Sequence, residues 1–177
     1  KALPENQSTL EQAFEIRLEL RPALTLLGEA RQALECLREA AALAERLNDD
    51  RRRGRVGAFL TVAHLQLGEL DEALVTGTRA LEIARELGDL ELRILSATSL
   101  GEVHQLRGEY QQVVELATDN LGALPADWIY KNFGFHAPAS IFNRHWLVGG
   151  LAELGRFAEA ARPLVLGGVA PLVVIVG

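Results

Sequence analysis

The sequence predicts an all-α fold, a solenoid of antiparallel helix pairs, and three observations carry that prediction. The stretch "LGELDEALVTGTRALEIARELGD", Leu67 to Asp89, is written nearly the same forty residues upstream as "LGEARQALECLREAAALAERLND", Leu27 to Asp49. Within each copy the apolar residues recur at the three, four, seven spacing of one helical face and do not alternate as a strand would. Ala, Leu, Glu and Arg dominate a chain of 177 residues with only six Pro, and these residues lose little side-chain freedom in a helix.

The elements follow in order. Ser8 and Glu11 have capping-box spacing for a first helix. Pro22 lies inside that helix and is expected to kink or interrupt it, because it lacks a backbone donor and crowds the preceding turn. A shift of forty then aligns Gly28 with Gly68, Glu29 with Glu69, Ala33 with Ala73, Leu34 with Leu74, Ala40 with Ala80, Ala44 with Ala84 and Leu47 with Leu87. Gly108 and Glu109 continue the register into a third copy, as do His104 after His64 and Leu100 after Leu60. A weaker fourth copy is "LAELGRFAEAA", where Gly155, Phe157 and Ala160 hold the same places. About three and a half to four repeats result, and such internal copies dictate the fold.

Each copy reads as two helices. The one before the Gly carries Val56, Phe59, Leu60, Ala63 and Leu67 on one face; the one after it carries Leu70, Ala73, Leu74, Ala80, Leu81, Ala84 and Leu87. The Gly permits a tight reversal, and the recurrent Ala lets neighbouring helices approach. Asn48 and Gly88 stand where a left-handed C-terminal cap is expected, and Asp49 and Asp89 follow as caps for the next helices. At least six helices in antiparallel pairs are predicted between roughly residues 9 and 154. The pattern breaks twice. "LGALPADWIYKNFGFHAP", Leu121 to Pro138, is a long connection that delays the fourth copy by seven residues. The uncharged tail "LVLGGVAPLVVIVG", residues 164–177, leaves three readings open: an artefact, an irregular cap or an edge strand. The predicted domain is therefore a helical repeat unit over 1–163 with an apolar tail over 164–177, through which self-association is expected.

A Gly followed by an acid and an apolar residue, Ala three further on, and Leu or an aromatic seven to eight before the Gly resembles the tetratricopeptide repeat, in a long forty-residue version of its usual period of about 34. That version is similar to the arrays of bacterial signalling ATPases. "LEQAFEIRLELRPALTLLGE" with "LREAAALAERLNDDRRRGRV" resembles the region downstream of the ATPase module in adenylyl-cyclase-type proteins. The resemblance covers residues 7–162 or so, and departs at Pro22 and after Pro163. It implies a protein-interaction or regulatory scaffold, a cytoplasmic fragment of a larger bacterial signalling protein, with the first helix of each pair lining a concave face. It places Arg55, Ala58, Val62, Leu65 and Gln66 there in the second repeat, and Leu95, Thr98, Glu102 and Gln105 in the third. The family's carboxylate clamp of Lys and Asn is not matched at Ala58, Val62, Thr98 or Glu102, which disfavours chaperone-tail binding.

Little in the chain points to chemistry. A net charge of -6 argues against a nucleic-acid binder, and the run Arg51, Arg52, Arg53, Arg55 beside Asp49 and Asp50 reads as a solvated helix start. No stretch has the length of a membrane helix, and no signal peptide is visible. The absence of Met, even at position 1, reads as an internal piece of a longer protein. The lone Cys36, among Leu34, Leu37 and Ala40, is expected to be a small buried residue in a reducing setting. No phosphate-binding Gly pattern occurs. His64 and His104 read as packing histidines with no acid or Cys recurring beside them as a metal site would require, and Glu29, Glu69 and Glu109 as helix-start charges. No enzyme activity, cofactor or metal is expected. What remains is a surface for a protein or peptide. Its candidate residues are Arg55, Val62, Glu102 and Gln105 on the first helices, and Trp128, Tyr130, Phe133 and Phe135 in the connection, where aromatics concentrate. The other reading is a domain that senses a small molecule or peptide under the aromatic loop.

Overall fold

The structure, a computed structural model, describes residues 6–161. The expected tail at 164–177 and the domain boundary at 163 lie outside the described residues. Within them eight α-helices follow one another: α1 (Gln7–Leu26), α2 (Ala30–Leu47), α3 (Asp50–Gln66), α4 (Leu70–Glu86), α5 (Leu90–Leu106), α6 (Tyr110–Ala123), α7 (Ala139–Glu153) and the single turn α8 (Phe157–Ala160). A 3-10 turn, Ala126–Trp128, interrupts the connection between α6 and α7. No strand occurs among the described residues.

Each helix packs on the next, and the first helices of successive pairs also meet, α3 on α5 and α5 on α7. The second helices α2, α4 and α6 make no comparable contact with one another. The first helices therefore form the closer, inner layer of a curved stack.

The repeated residues do what their spacing implied. Ala33, Ala40, Ala44, Ala73, Ala80 and Ala84 are all essentially inaccessible, so each marks a close helix approach. Gly77 serves the same end on α4: a Cβ there would fall 2.9 Å from Leu100 Cδ1 and 3.1 Å from Thr61 Cγ2. At the reversals Gly28, Gly68, Gly108 and Gly155 have φ between 71° and 76°. In the second repeat the Glu69 amide donates to the His64 carbonyl (2.9 Å) and the Gly68 amide to Leu65 (3.0 Å), the paired bonds of a Schellman ending.

Asn48 is left-handed (φ 49°), and Asp49 and Asp89 accept from the amides of Arg52 and Leu92 at 2.9 Å, as the sequence implied. The expected capping box at Ser8 and Glu11 is corrected. Asn6 is the cap, exchanging bonds with Thr9, because its extended backbone lets the helix start earlier and takes Ser8 inside it. Pro22 does not interrupt α1. Burial of Phe14 and Leu18 and the closing bonds of Leu27 and Glu29 to Ala23 and Leu24 hold the helix across the missing donor. Cys36 is half-buried, not buried, since Leu34 and Leu37 take the core positions beside it.

A buried polar network spans the interruption. Asn143 Nδ2 on α7 donates to Thr98 Oγ1 on α5 (2.8 Å), and Asn120 Nδ2 on α6 donates to Asn143 Oδ1 (3.1 Å). Thr98 in turn donates to the Ile94 carbonyl (2.7 Å). Three buried side chains that satisfy one another fix the register of α7 although the connection before it is long.

Candidate functional site

The long connection is itself ordered against the inner helices. After Pro125 the 3-10 turn brings Trp128 round, Ser140 Oγ donates to the Ile129 carbonyl (2.6 Å), and the Phe135 amide donates to Asn132 (2.9 Å). The two central residues of that last turn, Phe133 and Gly134, have φ of 52° and 85°. A left-handed Phe costs roughly 1–2 kcal/mol. Its ring is compensated by burial beside the core, an edge contact with Trp128 (centroids 5.7 Å) and the Lys131 ammonium 5.1 Å away.

The turn tip touches two inner helices at once. Its Gly134 carbonyl accepts from Arg21 Nη2 of α1 at 2.6 Å, and the Arg21 guanidinium lies 4.1 Å over the Phe59 ring of α3. Only glycine fits this position, since a Cβ would stand 2.8 Å from Phe59 Cζ. Beside the tip an opening of about 450 Å³ remains between α3, α5 and the loop, with Phe59, Leu92, Leu95 and Phe133 as its apolar lining. Its charged lining is Arg51, Arg55 and Lys131 against Glu91. Arg55 pairs with Glu15 (2.9 Å), Lys131 with Glu91 (3.1 Å) and Arg51 with Asp89 (2.6 Å).

Burial, followed by repulsion from Arg55, lowers the Arg21 pKa to about 10. Further along α5, burial raises the pKa of Glu102, partly offset by His136, and the carboxylate makes no hydrogen bond among the described residues. Gln105 Oε1 and the Trp146 Nε1–H are likewise buried without partners there.

The predicted residues divide by place. Arg55 and Phe133 line the opening. Trp128 and Phe135 are half-buried and pack against the main core, while Tyr130 is 75% exposed. Val62 is half-buried on α3, and Glu102 and Gln105 lie on α5 beyond the opening. Ala58, Leu65 and Thr98 are buried in the stack. The sequence missed Arg21, Phe59 and Lys131. Phe59 follows Arg55 by one helical turn, which is a signal; Arg21 was hidden by the irregularity assigned to its neighbour Pro22.

The histidines were also misjudged in one respect. His64 Nδ1 bonds Glu69 (2.6 Å) and His104 Nδ1 bonds Glu109 (2.5 Å), so an acid does recur five residues after each. These bonds close the same Schellman turns from the side-chain side. No group of three or more ligating side chains forms among the described residues, and no helix among them is long and apolar enough to cross a membrane.

The same stack occurs in solved structures. The chain is similar to a putative kinesin light chain with nearly identical TPR-like repeats from Podosopora anserina, with a TM-score of 0.61 and 21% identity over 83% of this chain and 69% of that one. A singly substituted form of that protein gives a TM-score of 0.68 and 19% identity over 90% and 73%. No protein-family profile and no curated protein matches the sequence. The fold is thus a TPR-like helical repeat array.

Proposed function

We propose that this chain is a protein-interaction module that takes a peptide segment of its partner in the opening between α3, α5 and the loop 124–138. One observation carries the reading: the inner face keeps an apolar-floored, charge-rimmed opening of about 450 Å³ although the chain's own loop already covers part of it. Ligand sites are concave, apolar in the main and oriented by a few polar groups. Arg55 and Phe133 in the lining, with the exposed Tyr130 elsewhere in the loop, are the side chains assigned to contact, and large aromatics and Arg are the commonest anchors of such interfaces. Val62, Glu102 and Gln105 extend the same inner surface. No catalytic role, cofactor or nucleic-acid partner is part of this reading. The place of the module within a larger bacterial signalling protein, in the cytoplasm, rests on the resemblance of its first two repeats to adenylyl-cyclase-type arrays.

Selection of binders from a random peptide library, followed by hydrogen exchange on the complexes, tests the reading. Protection at Arg55–Phe59 and at Leu92–Leu95 is expected. Failure to recover any peptide that protects these segments would overturn it.

A further inference from the structure

Arg21 is provided for in an unusual way. Its Nη2 has one hydrogen bond, to the neutral Gly134 carbonyl (2.6 Å), and its Nε is buried with no partner among the described residues. No carboxylate among them pairs with it: its neighbour Arg55 holds Glu15, and Glu91 is taken by Lys131 and Arg51. The group remains cationic at neutral pH although burial and Arg55 both oppose the charge. Arg21 is half-buried, and a charge partly withdrawn from water is better compensated by an opposite charge than by a neutral acceptor, which replaces only part of its hydration. Holding the loop alone would have needed no more than an amide donor.

The present occupant shows which chemistry fits. The Asn132–Phe135 turn offers Arg21 a peptide carbonyl and buries its own Phe133 ring in the lining of the opening. That occupant holds Phe133 in the left-handed region, which disfavours its own bound form. The rim cations Arg51, Arg55 and Lys131 are each already paired, with Asp89, Glu15 and Glu91, so beside them Arg21 alone lacks a carboxylate within the described residues. Resting on the peptide-groove reading above, we propose that the groove selects a peptide segment bearing an acidic side chain, whose carboxylate pairs with Arg21 in place of the Gly134 carbonyl. A carboxylate on a guanidinium makes shorter and stronger bonds than a carbonyl and supplies the missing opposite charge. The ligand's neighbouring apolar residue lies over Phe59, Leu92 and Leu95.

The test uses the groove-directed peptides recovered from the random library, each synthesised also with its Asp and Glu replaced by Asn and Gln. Acidic residues should be enriched at one position, and the amide twin should bind the wild-type protein about tenfold to a hundredfold more weakly, as the loss of a charged hydrogen bond implies. Arg21→Gln, which keeps a donor for Gly134 and removes the charge, should bind acid and amide forms alike, and Arg21→Lys should recover part of the difference. Groove-directed peptides whose acid and amide forms bind the wild-type protein equally overturn the proposal and leave the peptide groove standing. So does a preference that survives undiminished in Arg21→Gln. The absence of any groove-directed peptide overturns both.

Discussion

Replacing Gly134 by Ala separates the loop's docking from the general cost of a turn glycine. Two costs add at this position. The backbone is left-handed (φ 85°), which a side chain opposes by roughly 1–2 kcal/mol. The new Cβ would also stand 2.8 Å from Phe59 Cζ and 3.3 Å from Cε1. Phe59 cannot move aside freely, being 3% exposed and covered by the Arg21 guanidinium 4.1 Å above its ring. Overpacking of that kind costs about 1–3 kcal/mol. Gly68→Ala is the control, because it has nearly the same φ, 76°, with nothing within 4 Å of its Cβ. The difference between the two variants is therefore the seating of the loop alone, about 1–3 kcal/mol. Urea titration followed by far-ultraviolet circular dichroism measures it, given equal slopes for both variants. Equal midpoints for Gly134→Ala and Gly68→Ala would mean that the tip does not rest on Phe59 and that the groove lacks this wall.

Ala73→Leu should lower the denaturation midpoint by the equivalent of about 1–3 kcal/mol, since Ala73 is wholly inaccessible between helices; an unchanged midpoint would show a pliable contact. Tyr130→Ala should change stability by no more than about 0.5 kcal/mol, whereas Trp128→Ala should cost clearly more, because Tyr130 is 75% exposed and Trp128 packs on the core. Thermal unfolding of the pair decides this, and equal losses would refute it. The bond from His104, followed by that from Arg107, holds the Glu109 carboxyl below its ordinary 4.5. A depressed folded value stabilises above the unfolded value and is lost as pH falls through the folded one, so melting temperatures of Glu109→Gln should fall less steeply than wild type below about pH 4.5. Parallel curves would remove Glu109 from the acid limb.

The repeat array was legible because its rules are local and written several times. Gly68 and Gly108 stand forty apart with nearly the same φ, and the Ala positions that match between copies are buried in each copy. A single helical hairpin cannot cover its own apolar stripe, so repetition of the stripe already implies stacking. The errors lie where one copy deviates. Asn6 takes the cap from Ser8 because either residue can serve, and only the backbone decides. Pro22 is tolerated because tertiary burial of Phe14 and Leu18 outweighs one lost bond.

The groove was less legible, and the reason is that it is made by what is not repeated. Counting along the first helices finds Arg55, but nothing in the periodicity says that the segment after α6 returns across the chain to α1. That return depends on a Phe133–Gly134 turn with two positive φ values, of which the sequence advertises only the Gly. It depends also on the buried network of Asn120, Asn143 and Thr98, in which Asn120 stands forty residues after the buried Ala80 and Thr98 forty after the buried Ala58. Such mismatches between a residue and its place in a repeat are themselves a signal. A buried Asn that breaks the apolar stripe must find partners, and the partners here lie on three helices around the base of the loop. Arg21 can be argued in the same way. A cation on the inner face of an otherwise amphipathic helix is either paired or held for something that is not yet bound, and its one hydrogen bond among the described residues is to an uncharged oxygen. The departures from the repeat, more than the repeat, mark where the stack differs from a plain scaffold.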